Sequence, residues 1–449
     1  MTVPGALAAS TPTRSRFAAT AITIVIALLA AGVEAGENFQ PARVAIACAG
    51  AWVIVSGSMN LVSRSTRAFA LLGWTWVLWG VLSLTWTPDV ASGIRDNLRV
   101  AVGVCTVCVL AWLASRTPAA LAAVRRGWIA AVTLTLPLAL YEIVTDYHLP
   151  DHSYGHIESG GLHSFGVTYA CVTFGNRNYY VAFLTLAYPY ILWGLSRART
   201  RAAKFLHMAL AAAVALIVLV DSSRLGLIVL GIQSALWFVG GGGIKRLSRR
   251  LLFIAVAVIA GWWIIPYLPY TVLRLQWLIG GQDESVSART GLFWAGLRML
   301  YDTAGIGVGA GGFSQRIADT AATSYLSDPH NVWMEIATQY GVLIGLGFVA
   351  WLVACAIRLI VFIRRHQAQS GTDAYEGSYY ALLVLVSLPL NGLMNSAYLS
   401  YTFFWVSLGC IALTVNAAET ELTRLRRRPA MLGQTAAFRG PLPVPRRAS

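Results

Sequence analysis

The sequence is short of charge. Only 12% of its 449 residues are Asp, Glu, Lys or Arg, against about 25% in soluble domains, which excludes a conventional cytosolic enzyme. Lysine is nearly missing: with only Lys204 and Lys245 in the chain, the preponderance of arginine says little about a preference for guanidinium. Acidic residues number 19 against 34 basic ones, a net charge of +15 that would fit a nucleic-acid partner unless the bases are segregated. Cysteine is sparse as well. Cys48, Cys105, Cys108, Cys171, Cys355 and Cys410 lie in or beside apolar runs, without the paired spacing of a disulfide framework or a zinc site. The C-x-x-C of Cys105 and Cys108 falls inside a run, where two small structural residues are expected rather than a redox or metal pair. Residues 1–13 lack the short apolar core and cleavage site of a signal peptide, so the first apolar run is read as a permanent helix.

What abounds is hydrophobic sequence, 57% of the residues. Runs close to the roughly 20 residues that cross a bilayer as helix fall at 17–33, 44–62, 68–85, 100–115, 128–145, 178–195, 204–220, 225–240, 251–266, 332–357, 378–396 and 398–416. The expected fold is therefore all-α, a polytopic membrane helical bundle of about twelve transmembrane helices. With both termini in the cytoplasm, 25 of the 34 basic residues collect in inner loops and in the tail beyond residue 416, as the positive-inside rule requires. The positive charge is then topological and calls for no nucleic acid.

This topology makes residues 1–416 the transmembrane bundle and places two long loops, 146–177 and 267–331, on the outer side. The larger lies between helices 9 and 10. Residues 417–449 are a basic cytoplasmic tail, expected to be disordered against anionic lipid. The outer loops hold His148, His152, His156, His163 and His330, so the outer face is the expected working face. The loose spacing of the first four carries no carboxylate pattern, and they are read as loop histidines rather than metal ligands.

Nine arginines, Arg43, Arg95, Arg99, Arg177, Arg224, Arg274, Arg289, Arg298 and Arg316, fall on the outer side. Arg224 sits in LVDSSRLGLIVL, in a short polar turn between two apolar runs, where a charge is costly unless an anion answers it. Either Asp221 closes the turn by pairing with it, or Arg224 binds an anion from outside. Arg289, in SVSARTGLFWAGLRML, is placed near a helix start capped by Ser285 or Ser287, where backbone N–H groups favour phosphate. Arg177, in FGNRNYYVAF, stands between Asn176 and Asn178 at the mouth of the sixth run. Three guanidinium groups converging from separate helices would clamp a diphosphate.

His330, in SDPHNVWMEIATQYG, is a titratable group fixed at the interface, and its ordinary pKa near 6.5 suits a general base. Asp328 and Glu335 are near enough in sequence to orient its second nitrogen, and Asn331 follows it directly. The glycine run GIGVGAGGF at 305–313 lacks the strand–helix context of a dinucleotide loop and is read as a sharply turning segment that approaches its surroundings closely. Trp76, Trp79, Trp86, Tyr267, Tyr270 and Trp277 are expected in the aromatic belt at the outer rim.

LSLTWTPD at 82–89, FGNRNYYVAFLTLAYPY at 174–190, SSRLGLIVL at 222–230, SARTGLFWAGLRML at 287–300, and GIGVGAGGF followed by DPHNVWMEIATQYGVLIGLGF at 328–348 together resemble the O-antigen ligase and O-antigen polymerase superfamily of bacterial membrane glycosyltransferases. The segments occur in that family's order across most of the chain. The resemblance implies a glycosyltransferase of the bacterial cytoplasmic membrane, acting at the outer face, that moves a glycan from a polyprenyl-diphosphate carrier to an acceptor hydroxyl with inversion and without metal or cofactor. It places the catalytic role on His330 and donor-diphosphate binding on Arg224, Arg289 and Arg177, and beside them Asp328, Asn331 and Glu335 are read as supporting residues. Implied partners are the lipid-linked saccharide donor, a glycolipid, glycan or protein acceptor, and membrane lipids. A polysaccharide polymerase and a protein O-oligosaccharyltransferase of the same superfamily stay open. So does a secondary transporter, since twelve spans with both ends inside is also a common transporter layout.

Overall fold

The computed structural model describes residues 12–32, 41–55, 63–117, 119–145, 147–148, 169–174, 176–221, 223–240, 284–318, 328–367, 371–393 and 398–437. Among these residues the architecture is entirely helical. In chain order the helices are α1 (Pro12–Ala30), α2 (Pro41–Val55), α3 (Arg64–Ser83), α4 (Val90–Arg116), α5 (Ala120–Thr145), α6 (Arg177–Arg197), α7 (Arg201–Val220), α8 (Arg224–Gly240), α9 (Glu284–Asp302), α10 (Phe313–Ala318), α11 (Val332–Tyr340), α12 (Val342–Arg365), α13 (Asp373–Asn391) and α14 (Thr402–Ala437), with a 3-10 turn at Tyr398–Ser400 before the last. Five are long and apolar enough to cross a membrane, at Val90–Leu113, Ala120–Thr145, Arg201–Val220, Val342–Arg365 and Thr402–Thr423; shorter apolar helices occupy Ala18–Ala30 and Arg224–Gly240. The protein is a helical membrane protein.

Burial separates the helices by role. In α6 every residue from Tyr179 to Ala187 is buried, the pattern of a helix surrounded by protein. Trp128 of α5 stacks on Tyr190 of α6 at 5.5 Å with the rings nearly parallel. In contrast α7 exposes Phe205, Leu206 and Leu216, the apolar surface a lipid-facing helix presents. α14 packs on α4, α1 on α5, and α13 reaches both α6 and α12.

Several expectations are corrected here. The apolar run 332–357 is two helices, because Gly341 at φ +91 breaks it between α11 and α12. The outer loop expected over 267–331 contains α9, a helix of 19 residues, and the short α10. The last helix passes residue 416 and runs to Ala437, through part of the tail expected to be disordered. Trp76 is not a belt residue: it is fully buried and packs edge-on against Tyr340 and Phe348. The run 251–266, with Tyr267, Tyr270 and Trp277, and His152, His156 and His163 lie outside the described residues.

Candidate functional site

The segments singled out in the sequence gather at one end of the bundle. The turn after α3 meets the glycine run, where Thr87 donates to the carbonyl of Ala310 at 2.7 Å, the Ala310 N–H donates to Ser83 at 3.0 Å, and the Trp86 indole donates to the Gly307 carbonyl at 3.1 Å. From its other side the run holds the junction of α11 and α12, through Val308 N–H to Thr338 at 2.7 Å, Val342 N–H to Gly305 at 2.9 Å, and Gly311 N–H to the Gln339 side chain at 2.7 Å. Gly307 is indispensable to this approach. Its φ is +95, and an added Cβ would lie 2.8 Å from the Gly341 nitrogen and 2.9 Å from the Thr338 carbonyl oxygen, inside normal contact. The loop therefore braces α11 from below.

At the head of α11 stands His330. Asn331 is the N-cap, its side chain accepting from Trp333 N–H at 3.0 Å and Met334 N–H at 3.2 Å, which satisfies two of the helix's open donors. Val332 N–H donates to Gly392 and the Trp333 indole to Pro389, tying the same turn to the end of α13. Immediately before this fixed turn His330 has φ +47, a left-handed conformation that costs about 1–3 kcal/mol in a non-glycine residue and recurs at functional sites. Burial pulls the imidazole down to about 4, and the guanidinium of Arg289 pushes in the same direction. Arg289 comes from α9, which starts at Glu284. Ser285 and Ser287 fall within the first turn of α9 and Arg289 in the second.

The carboxylates expected to orient His330 have other partners. Asp328 accepts from the Ser314 hydroxyl of α10 at 3.1 Å, and burial raises its carboxyl above the usual range. Glu335 is 4% exposed and accepts from Tyr398 N–H at 3.0 Å, so it binds the 3-10 turn rather than the imidazole. That turn also receives Arg43 of α2, at 3.0 Å to the Ser400 carbonyl, and Arg99 of α4, at 3.2 Å to the Ser400 hydroxyl. Arg99 is paired with Asp96 at 2.9 Å. Between Arg43, Arg99, Thr402 and Trp405 lies a cavity of about 10 Å³, room for one water and no sugar ring.

A second polar cluster forms where α5 and α7 end and α6 begins. Arg177 is the first residue of α6, behind the N-cap Asn176, whose side chain accepts from Asn178 N–H at 2.8 Å. Asp221 caps the end of α7 at 2% exposure and accepts from Ala170 N–H at 2.9 Å. Burial pushes its carboxyl up to about 8, against the opposing effects of that hydrogen bond and the Arg177 charge. Glu142 of α5, 1% exposed, accepts from Cys171 N–H at 2.7 Å and Val172 N–H at 2.8 Å and faces His148 at 3.6 Å. The His148 ring stacks on Tyr169. Arg224 opens α8 and is exposed.

Of the four residues expected in the pocket, then, His330 and Arg289 act on one another, Arg177 stands with Asp221, and Arg224 stands three residues beyond it. The stretch 398–402 links the two clusters: Tyr398 reaches Glu335, while the Tyr401 ring lies 3.9 Å from that of Tyr179, in the first turn of α6. Sequence reasoning missed Glu142, Asp96 and Ser400. The signal for the first was an acid inside an apolar helix end, and for the second an i, i+3 acid–arginine pair at the start of α4.

No family model matches the chain. It is similar to the teichuronic acid biosynthesis protein TuaE of Bacillus subtilis (strain 168), with 22% identity over 367 residues, covering 79% of this chain and 72% of that protein.

Proposed function

We propose that this protein is an inverting glycosyltransferase of the bacterial cytoplasmic membrane, with about twelve spans, that transfers a glycan from a polyprenyl-diphosphate carrier at the outer face without a metal. The observation that carries the reading is His330: a neutral imidazole in a left-handed backbone, at the head of a capped and braced helix, under the charge of Arg289. The similarity to a teichuronic acid biosynthesis protein supports a lipid-linked saccharide as donor. It also favours a growing polysaccharide as acceptor, and so the polymerase variant of the reaction over transfer to protein.

In this mechanism His330 accepts the proton of the acceptor hydroxyl as its oxygen attacks the anomeric carbon. The glycosidic bond forms as the bond from the anomeric carbon to the diphosphate breaks, and the diphosphate leaves with the electron pair. Arg289, with Arg224 and Arg177 bound to the same donor, answers the charge gathering there. Asn331 holds the turn that carries the base, Glu335 anchors that turn's helix to the 398–400 segment, and Asp328 fixes α10 beneath it. The loss of His330 is expected to slow transfer about 10²- to 10⁴-fold.

The test uses purified His330→Ala and Arg289→Ala proteins with a lipid-linked saccharide and a saccharide acceptor, reading release of polyprenyl diphosphate. Wild-type turnover by His330→Ala would remove the base from the mechanism, and unchanged donor KM and kcat in Arg289→Ala would remove that arginine from the donor site.

A further inference from the structure

The strap 169–174 is held by two carboxylates from different helices. Asp221, at the end of α7, takes the N–H of Ala170, and Glu142, in the last turn of α5, takes those of Cys171 and Val172. Val172 has φ +54, a left-handed conformation that a β-branched residue adopts only where its surroundings impose it. The strap leads directly into Asn176 and Arg177. It is also packed from within, Phe174 lying 5.0 Å from Phe183 and 5.6 Å from Phe403.

At this place Nη1 of Arg177 and Oδ2 of Asp221, both buried, have no hydrogen-bond partner among the described residues. A buried guanidinium nitrogen without an acceptor is expensive to maintain. Asp221 does not satisfy it, although it is the carboxylate on which the Arg177 charge acts. A carboxylate freely ionised here would be expected to draw Arg177 into an ordinary ion pair. With its carboxyl raised by burial, and with Glu142 as a second acid and His148 and Arg177 as the facing bases, Asp221 grips the strap through Ala170 and leaves Nη1 of Arg177 without an acceptor.

We infer that Asp221 and Glu142 are positioning residues, which fix the 169–174 strap so that Arg177 presents an open N–H to a phosphate oxygen of the lipid-linked donor. The inference rests on the donor reading above but concerns residues that reading does not use. Asp221 and Glu142 touch no substrate. They act through Arg177, as second supports do for a preorganised anion site.

A double-mutant cycle tests this with undecaprenyl diphosphate in detergent micelles as the probe. Arg177→Ala is expected to weaken its Kd about tenfold, the scale of one lost charge-assisted hydrogen bond. Asp221→Leu, which removes the acceptor for Ala170, is expected to weaken it severalfold alone and not at all in the Arg177→Ala background. Asp221→Asn keeps a neutral acceptor for Ala170 and is expected to rescue binding. An unchanged Kd in Arg177→Ala defeats the donor reading at this arginine. A weakened Kd there, joined by full additivity with Asp221→Leu, defeats the positioning role and leaves the donor reading standing. Should Asp221→Leu fail to fold, hydrogen exchange of the wild-type protein decides instead. The amides of 170–172 are expected to gain protection when the probe is added, and no gain overturns the inference.

Discussion

Acidification should reach His330 late. A free imidazole takes its proton near pH 6.5, whereas burial, and then the Arg289 charge, hold the ring of His330 down to about 4. Between those values the unfolded chain carries a proton that the folded chain refuses. The sign follows directly: the stability tied to this residue is intact above about pH 6.5 and drains away as pH falls toward 4. A gap of about 2.5 units corresponds to about 3 kcal/mol, at about 1.4 kcal/mol per unit. Unfolding of wild-type and His330→Gln proteins in detergent, followed from pH 7 to pH 4, should show the wild-type losing that amount relative to the variant. Arg289→Gln should move the transition only part of the way back toward 6.5, because burial is the larger cause. In catalysis, the acid limb of kcat/KM, which reports the free enzyme, should lie near 4. The limb of kcat should lie higher, since a bound diphosphate sets negative charge beside the ring and offsets Arg289. Protonation of His330 near pH 6.5 in a histidine NMR titration, with no pH dependence in the stability gap, would refute the reasoning.

Other substitutions have expected outcomes of different kinds. Gly307→Ala combines positive φ with an added Cβ 2.8 Å from the Gly341 nitrogen, for a cost of about 2–4 kcal/mol. Gly231→Ala, in α8 with nothing within 4 Å of its added Cβ, should be neutral or stabilising by up to about 1 kcal/mol, and equal unfolding midpoints for the pair would contradict the loop's bracing role. Asn331→Ala should cost about 1 kcal/mol through the lost cap and lower kcat more than it raises KM, as His330 loses its fixed turn. Asp328→Asn should keep its bond from Ser314 and slow transfer far less than the roughly 10²-fold expected for loss of a base. A loss as large as that of His330→Ala would restore Asp328 as the orienting partner of the imidazole.

Much of the helical layout is legible in the residues. The run 178–195 corresponds to α6 at Arg177–Arg197, and 204–220 to α7 at Arg201–Val220. Hydropathy is a local property, and a helix satisfies its own backbone whatever surrounds it. The break at Gly341 is harder to read, since what excludes a side chain there is the approach of the Gly305 and Ile306 carbonyls, which an added Cβ would meet. α9 is signalled in the sequence only by a helix start near Arg289 and not by an apolar run, because of its mixed polarity, with Glu284, Arg289, Arg298 and Asp302 among apolar residues. The capping role of Asn176 was readable from its place before an apolar run.

The sequence by itself determined that this chain belongs in a membrane and where many of its helices run, because both depend on residues near one another along the chain. Only the tertiary structure decided who stands beside whom. It set Arg289 rather than Arg177 against His330, turned Glu335 toward Tyr398, and gave Asp221 to the Ala170 amide. Such pairings join residues tens of positions apart, and packing chooses among them by burial and by the need of buried polar groups for partners.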